Sequence, residues 1–497
     1  MADSIKSNII SVYISSLIPA VLTYLFWILA SNYTNSETIG IIAAVASFSM
    51  ILGVLSNFDV AVGMKRFLGK SFAERNYARI KQIVSISTVF VLLTSIGILI
   101  ISINPFFDIL GFTGIEKKFI PMIITIVIGN ALQHIFRQSL ISTLKSKSMV
   151  IPLIVSSFTR FPIFFILIAL AYDPIMNVAV SYSLFYAMIS IILFTVVLND
   201  FRRVSAPYFK DSKNTLGLVI RGSLPRWIPQ ILSVVGSQLG ILFIFSLKGP
   251  SEAGLYYIPF AIFNVLFLVT AAVNQVSHPV LSGIVELEKQ KNFLRRTLKL
   301  AFLGTLPFSA IMFFYAGPIL SIFGKEFSAA SDVLFILLAS FPIAIIAEGV
   351  YFLFYARGEY RTILFLGLSG NVPRIILYFI LIPLYGVSGG ALAFVIGTIV
   401  QTILTIIFVE KIKIRLQYPT FVIVSIIPFA LGFLFEYSEI GLIGALPIFV
   451  FSFLLYLRLG ILKEKDLIDI LKTLFPSEGS DIKIDKFIQR LKRFNLM

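Results

Sequence analysis

The sequence predicts an all-α integral membrane protein with about fourteen transmembrane helices, and three observations support this fold class. Hydrophobic residues make up 58% of the 497 positions and charged residues only 13%, which is too little polar surface for a soluble domain of this size. Apolar stretches of roughly 20 residues, long enough to cross a bilayer as helices, recur along the chain. Residues 36–198 are echoed by residues 251–408 at an offset of roughly 214, which predicts two like lobes.

The apolar stretches are read as helices because they are continuously hydrophobic and about twice as long as the strand of a membrane barrel. The first is too long and too poor in basic residues for a cleaved signal peptide, so we expect it to be a span. The fourteen predicted spans lie at about 9–31, 39–62, 83–103, 119–143, 149–171, 175–198, 224–246, 253–276, 298–316, 332–355, 362–384, 387–409, 418–435 and 440–460.

The basic residues predict the orientation of these spans. The six links that follow even-numbered spans hold 23 lysines and arginines. The seven links on the other side hold four: Lys117, Lys118, Lys248 and Lys325. The positive-inside rule therefore predicts a multi-pass protein of the cell membrane with both termini in the cytoplasm. The net charge of +16 then reflects topology, and no nucleic-acid partner is expected.

The repeat divides the chain into domains. Each half contains six spans, so the halves have the same orientation and form parallel repeats. The predicted domains are an N-lobe at 1–200, a cytoplasmic linker at 201–223, a C-lobe at 224–410, two additional helices at 411–460 and a cytoplasmic amphipathic tail at 461–497. In the tail, Ile484, Phe487, Ile488 and Leu491 share one helical face, which favours membrane-surface anchoring, with partner docking as the alternative.

Some links also contain hydrophobic residues. The links after the second and eighth spans mix apolar with basic residues, as in the first of them at Phe67, Phe72, Tyr77 and Ile80. This pattern predicts short helices on the anionic inner leaflet.

Polar residues within the spans indicate where a ligand could bind. Arg160 and Arg374 occupy equivalent positions of the two halves, and an arginine at the centre of a span costs roughly 2.5–3.5 kcal/mol on insertion scales. We expect the polar stripes to face a central, water-filled cavity, where a guanidinium could hold a phosphate through a bidentate fork. The predicted substrate-binding residues are Arg160, Arg374, Arg137, His134, Glu348, Asn130, Gln133 and Asn371. The alternative is a structural ion pair, either Glu348 with Arg374 or Asp59 with an arginine.

Two prolines are candidate hinges. Pro19 and Pro229 each lie in an Ile-Pro step inside the first span of a lobe. Proline removes a backbone donor and bends a helix, so paired bends could serve alternating access, while static kinks are the alternative.

No nucleotide-binding loop, metal-ligand cluster or catalytic triad is present in the sequence, so we expect a transporter rather than an enzyme. No cofactor is expected. Active transport would use an ion gradient, with H⁺ and Na⁺ as the candidate coupling ions, and the alternative is a substrate that moves downhill without coupling.

Several motifs resemble the Wzx-type polysaccharide flippases of the multidrug/oligosaccharidyl-lipid/polysaccharide (MOP) superfamily, which also includes the multidrug and toxin extruders. They are SETIG at 36–40 and SEAG at 251–254, ILSIFGKEFSAASDVLFILLAS at 319–340, and LIPLYGVSGGALAFVIG at 381–397. The likeness covers about residues 5–410. The resemblance implies two six-helix lobes in a V and alternating access.

The resemblance also implies a function and its partners. A polyprenyl-(pyro)phosphate-linked oligosaccharide would move from the cytoplasmic to the outer leaflet for assembly of cell-surface polysaccharide or glycoprotein. The cationic lumen described for the family would comprise Arg160, Arg374 and Arg137 here. Membrane lipids, and glycosyltransferases or a polymerase of the same pathway, are the expected partners of a monomer. The alternatives are an ion-coupled multidrug antiporter and a non-transporting scaffold of a glycan-assembly complex.

Overall fold

The computed structural model describes residues 2–104, 106–107, 109–202, 204, 212–284, 286–436 and 441–463, excluding the side chains of 2–10, 13, 269, 271–280 and 282. The predicted amphipathic tail beyond residue 463, and residues 203 and 205–211 of the predicted linker, fall outside the described residues.

Regular structure in these ranges is entirely helical, with seventeen α-helices and three short 3-10 helices. The first nine α-helices are α1 Ala2–Tyr33, α2 Ser36–Asn57, α3 Val60–Ala73, α4 Tyr77–Ile103, α5 Ile109–Thr113, α6 Ile120–Ser142, α7 Lys147–Ala169, α8 Pro174–Phe201 and α9 Ser212–Lys248. The others are α10 Pro250–Gly283, α11 Leu287–Phe314, α12 Ala316–Ser321, α13 Ser331–Ala339, α14 Phe341–Ala356, α15 Tyr360–Lys411, α16 Tyr418–Glu436 and α17 Ala445–Arg458. The 3-10 helices are Lys117–Phe119, Lys325–Ala330 and Gly441–Gly444.

The number of spans differs from the predicted fourteen. Within the described ranges, eleven helices are long and apolar enough to cross a membrane, or twelve if the bent pair α13 and α14 forms one span. The predicted eleventh and twelfth spans run together as α15, interrupted only at Gly386, whose φ of 56° and ψ of −132° are accessible to glycine. The predicted fourteenth span corresponds to α17, which has only 14 residues. All fourteen apolar stretches are therefore helical, and the difference lies in how they are joined and in their length.

The helices form two compact units. Unit 1 comprises Met1–Tyr257 with Asn371–Phe394, and unit 2 comprises Ile258–Gly370 with Val395–Met497. These boundaries follow contacts rather than the sequence repeat, and the division into an N-lobe and a C-lobe remains a prediction.

Unit 1 has a core to which α3 contributes. Met64 and Leu68 of α3 are fully buried beside Ile135 of α6 and Ile189 of α8. The helix predicted after the second span is therefore present as α3. The prediction placed its apolar face on the membrane surface, whereas in the structure that face packs against the protein. The reason is that α4, α6 and α9 all contact α3 and cover that face.

In unit 2, the helices that follow the repeat pack on α11. Phe302 of α11 stacks on Phe421 of α16, with ring centroids 4.7 Å apart. The hydroxyl of Tyr456 in α17 donates to the carbonyl of Val424 at 2.8 Å. Both additional helices are thus integral to this unit.

Candidate functional site

The two repeated motifs meet at the first turns of α2 and α10, both in unit 1. The Oγ atoms of Ser36 and Ser251 lie 2.8 Å apart. A Cβ added to Gly40 would lie 1.8 Å from the carbonyl oxygen of Pro250, and one added to Gly254 would lie 1.9 Å from the carbonyl oxygen of Ser36. Only glycine permits this approach of two backbones. We term these five residues the glycine seam.

Arg160 lies in a cage of aromatic rings. Its guanidinium carbon is 4.6 Å from the ring centroid of Phe185, 5.4 Å from that of Phe26 and 5.9 Å from that of Tyr182. Its Nη1 donates to Oγ1 of Thr23 on α1 at 3.2 Å. Thr23 and Phe26 are three residues apart in α1 and therefore lie on the same face of that helix. This spacing explains why both side chains contact Arg160.

The cage buries Arg160 more completely than the sequence suggested. The residue is only 1% exposed, whereas we expected it to line a water-filled cavity. No carboxylate of the described residues lies within 4.0 Å of it, and its Nε makes no hydrogen bond there. Cation–π contacts contribute on the order of 0.5–2 kcal/mol each, less than the several kcal/mol that desolvating an ion costs. The buried charge is therefore only partly compensated in this conformation.

Arg374 has similar surroundings in α15. It is 6% exposed, so this residue too is enclosed, where the sequence placed it in a cavity. Its Nη1 donates to Oδ1 of Asn371 at 3.0 Å, and its guanidinium carbon lies 4.0 Å from the ring centroid of Phe394. Gly236 of α9 lets this segment approach, because a Cβ there would be 2.0 Å from Oδ1 of Asn371.

A second group of charges lies where α6, α9 and the α2–α3 turn come together. Arg137 of α6 donates through Nη2 to Oγ of Ser16 at 2.5 Å. Arg226 of α9 pairs with Asp59 at 3.0 Å, and its charge and that of Arg137 both act on His134. We term Asp59, Lys65, His134, Arg137 and Arg226 the arginine cluster.

The arginine cluster is more accessible than the two buried arginines. His134 is exposed although it lies in the middle of α6, and Arg137 is partly exposed. The side chains of Arg226 and Asp59 are 34% and 13% exposed. Lys65 is exposed on α3, where partial desolvation, followed by the charge of Arg226, lowers its pKa. Of the described side chains in this cluster, Arg226 pairs directly with the carboxylate of Asp59, and Lys65 and Arg137 add two further cations.

The remaining predicted residues have different surroundings. Asn130 is partly exposed on α6, and Gln133 has a buried Oε1 without a hydrogen-bond partner in the described part of the chain. Glu348 is exposed but belongs to unit 2, so its predicted pairing with Arg374 remains a hypothesis. Pro19 and Pro229 are buried inside α1 and α9, and their role as hinges stays a prediction.

The sequence interpretation missed Arg226 and Lys65. Lys65 lies in the basic link after the second predicted span and Arg226 at the edge of the seventh, so neither stands out by its position in the sequence. A signal was nevertheless present in SLPRWIPQIL, where Arg226 is only three residues from Pro229. The structural ion pair of Asp59 with an arginine, which the sequence left as an alternative, is formed with Arg226.

Comparisons with known proteins agree with this fold. No protein-family model matches the chain. A protein of Shigella flexneri named as an O-antigen transporter is 24% identical over 237 residues, which cover 47% of this chain and 56% of that protein. The chain thus aligns with little more than half of the length of this curated relative.

Solved structures are similar over a larger share of the chain. The lipid II flippase MurJ in an inward closed conformation has a TM-score of 0.61 at 18% identity, covering 89% of this chain and all of that one. A multidrug resistance MATE family transporter of the MOP superfamily, in an inward-facing conformation, has a TM-score of 0.59 at 15% identity, covering 81% and 97%. The predicted MOP-superfamily fold is confirmed.

Proposed function

We propose that this multi-pass membrane protein with the MOP fold is a flippase for a polyprenyl-(pyro)phosphate-linked oligosaccharide, and not an enzyme. The observation that carries the proposal is the excess of guanidinium groups inside unit 1. Arg137, Arg160, Arg226 and Arg374 all lie within its helices, and Asp59 is the carboxylate that faces one of them. An excess of buried or half-buried cations favours an anionic ligand, and guanidinium binds phosphate with two parallel hydrogen bonds.

The cations lie at two levels along α1. Arg137 contacts Ser16 and Arg160 contacts Thr23, seven residues further along the helix. At 1.5 Å per residue these positions are about 10 Å apart on one helix face. We infer that the exposed arginine cluster receives the phosphate first and that Arg160 and Arg374 hold it after the helices rearrange. Pro19 lies between the two levels, where a bend would change their spacing.

The similarity to relatives supports this substrate class. The Shigella flexneri relative is named for O-antigen and MurJ for lipid II, and both substrates would be glycans on a lipid carrier. In our proposal the prenyl chain stays in the bilayer while the headgroup crosses through the protein, from the cytoplasmic to the outer leaflet. Both termini would be cytoplasmic, and H⁺ or Na⁺ would be the coupling ion.

An antiporter of organic cations is the second candidate, because the MATE structures share the fold. The two functions require opposite charge at the site. A cationic drug would be repelled by the arginine cluster, whereas a phosphate would be attracted to it. Reconstituted protein that moves a polyprenyl-linked glycan and fails to move cationic dyes would separate the two.

The test is delivery of a lipid-linked glycan to the outer leaflet in proteoliposomes. Arg160→Ala and Arg374→Ala should each reduce the rate of glycan delivery, and the double variant should abolish delivery. Lysine at either position should retain only part of the delivery rate, because lysine cannot form two parallel hydrogen bonds with a phosphate. Arg361→Ala is the matched control, since Arg361 is an exposed arginine on the same helix as Arg374. Normal delivery by a correctly inserted double variant would overturn the phosphate-binding role.

A further inference from the structure

The turn between α2 and α3 is held in an unusual backbone conformation. Phe58 has φ 49° and ψ 20°, and Asp59 has φ 50° and ψ 31°, so two consecutive residues other than glycine are left-handed. Left-handed backbone is rare for a bulky residue such as phenylalanine. Oδ1 of Asn57 accepts from the backbone N–H of Asp59 at 2.8 Å, which supports the turn locally. Strain of this kind persists only where surrounding contacts hold it.

Those contacts come from two adjacent residues of α9. The ring of Trp227 stacks on Phe58 with centroids 4.2 Å apart and an angle of 20° between the planes. Its indole N–H donates at 2.7 Å to the carbonyl of Val54, one of the last four of α2, which have no partner within the helix. Nη1 of Arg226 donates to Oδ2 and Oδ1 of Asp59 at 3.0 and 3.3 Å. We term Phe58, Asp59, Arg226 and Trp227 the latch.

The latch fixes the start of α3 on α9. Gly63, one turn into α3, also lies against α9, since a Cβ there would be 2.3 Å from the carbonyl oxygen of Val219. Whatever changes the ion pair therefore acts on a strained turn and on the helix that follows it.

The ion pair is open to competition by an anion. Both contacts with Asp59 use one nitrogen of Arg226, so the pair is not the two-nitrogen fork that guanidinium forms with phosphate. The side chain of Arg226 is 34% exposed, which makes it accessible. Lys65 lies within electrostatic range of Arg226, and a phosphate carrying more charge than a carboxylate gains more from such a neighbouring cation.

We propose that Arg226 is the docking site for the phosphate of an anionic lipid headgroup, and that this phosphate displaces Asp59 and opens the latch. Loss of the ion pair removes one of the contacts that hold the strained turn, so that Phe58 and Trp227 separate and α3 is released. This inference rests on the proposed function, because it assigns the step by which the substrate is admitted.

Tryptophan fluorescence can report the latch directly, because the chain has only two tryptophans. Trp27→Phe leaves Trp227 as the single emitter, on protein in nanodiscs. The probes are a polyprenyl monophosphate, the uncharged polyprenol of the same length, and inorganic phosphate in solution. Binding of each lipid is measured separately by native mass spectrometry. We expect the polyprenyl monophosphate to shift Trp227 emission to longer wavelength and the polyprenol to leave it unchanged.

Variants of the ion pair complete the test. Arg226→Gln also lacks the ion pair, so it should emit at longer wavelength without lipid, show no further shift with the monophosphate and bind it on the order of tenfold more weakly, with Arg226→Lys intermediate. Asp59→Asn should emit at longer wavelength without any lipid. Emission of Asp59→Asn equal to that of the parent, or undiminished binding by Arg226→Gln, would overturn the latch.

The remaining outcomes separate this inference from the proposed function. A monophosphate that binds without shifting Trp227 emission contradicts the latch and leaves the flippase proposal standing. Absence of any binding of the monophosphate contradicts both. A full shift with inorganic phosphate alone assigns the site to a soluble anion and overturns the lipid headgroup as its ligand.

Discussion

The glycine seam allows the sharpest prediction about how the helices of unit 1 close on each other. In Gly40→Ala the new methyl carbon would lie 1.8 Å from the carbonyl oxygen of Pro250 and 2.7 Å from the nitrogen of Gly254. An ordinary contact of carbon with oxygen is about 3.3 Å, so α2 and α10 must separate by about 1.5 Å. Both clashing atoms are backbone, so the penalty should lie near 3 kcal/mol, the upper end for overpacking.

Alanine is favoured over glycine within a helix by about 1 kcal/mol, but α2 is helical whether the seam is closed or open, so this preference does not offset the penalty. Since 1.4 kcal/mol is a factor of ten, a cost near 3 kcal/mol should lower the population of the closed seam about 100-fold.

Disulfide formation measures this population well because the chain has no cysteine. In the double variant Ser36→Cys, Ser251→Cys the sulfur atoms would replace hydroxyls 2.8 Å apart, less than an ångström beyond the length of a disulfide bond. We expect rapid crosslinking under mild oxidation, and a rate lower by at least an order of magnitude when Gly40→Ala is added.

The control for Gly40→Ala is Gly97→Ala in α4, where an added Cβ would meet nothing within 4 Å. Its crosslinking rate should equal that of the double cysteine variant alone. Equal rates with Gly40→Ala would refute the conclusion that the seam closes by direct contact of two backbones.

Three further predictions concern Arg160, Asp59 and the prolines. Arg160→Met should keep or raise the melting temperature, because it removes a buried cation without a described carboxylate partner, yet abolish glycan transport; a lowered melting temperature would indicate a structural role. Burial raises the pKa of Asp59 from 3.8 to about 6, against the lowering effects of the charge and hydrogen bond of Arg226. As the pH falls through about 6, Asp59 is protonated in the folded state but stays ionised in the unfolded state, whose pKa is lower, so protonation stabilises the folded state relative to the unfolded one. The same protonation weakens the ion pair between Asp59 and Arg226. Trp227 emission in Trp27→Phe should accordingly shift to longer wavelength with a midpoint near pH 6, and the additional change Asp59→Asn should remove that midpoint even though Lys65, His134 and Arg137 remain nearby. Pro229→Ala restores a backbone donor and should slow transport without preventing polyprenyl monophosphate binding, whereas Pro121→Ala in the first turn of α6 should have no effect; unchanged transport in Pro229→Ala would favour a static kink.

The helices and the cationic character of the site were predictable, because they depend on local composition. Runs of apolar residues form helices in a bilayer whatever their neighbours are, so all fourteen predicted stretches are helical. Arg160 and Arg374 stood out for the same reason, since a charge within an apolar run is conspicuous without any structure.

The surroundings of these arginines could not be predicted in this way. The rings that enclose Arg160 come from α1 and α8, and nothing in the local sequence pairs Phe26 with Phe185. Burial depends on how helices distant in the chain pack together. For that reason the structure encloses two side chains that the sequence placed in an open cavity.

The latch shows most clearly the difference between what the local sequence predicts and what only the packing of the helices decides. Asp59 and Arg226 are 167 positions apart, and each separately resembles an ordinary residue at the end of a span. The repeated motifs at Gly40 and Gly254 were recognisable from sequence, but their contact was not. Hydrophobicity and repetition act within a segment and can be read from it, whereas ion pairs, stacked rings and close backbone contacts depend on the packing of helices that only the folded chain brings together.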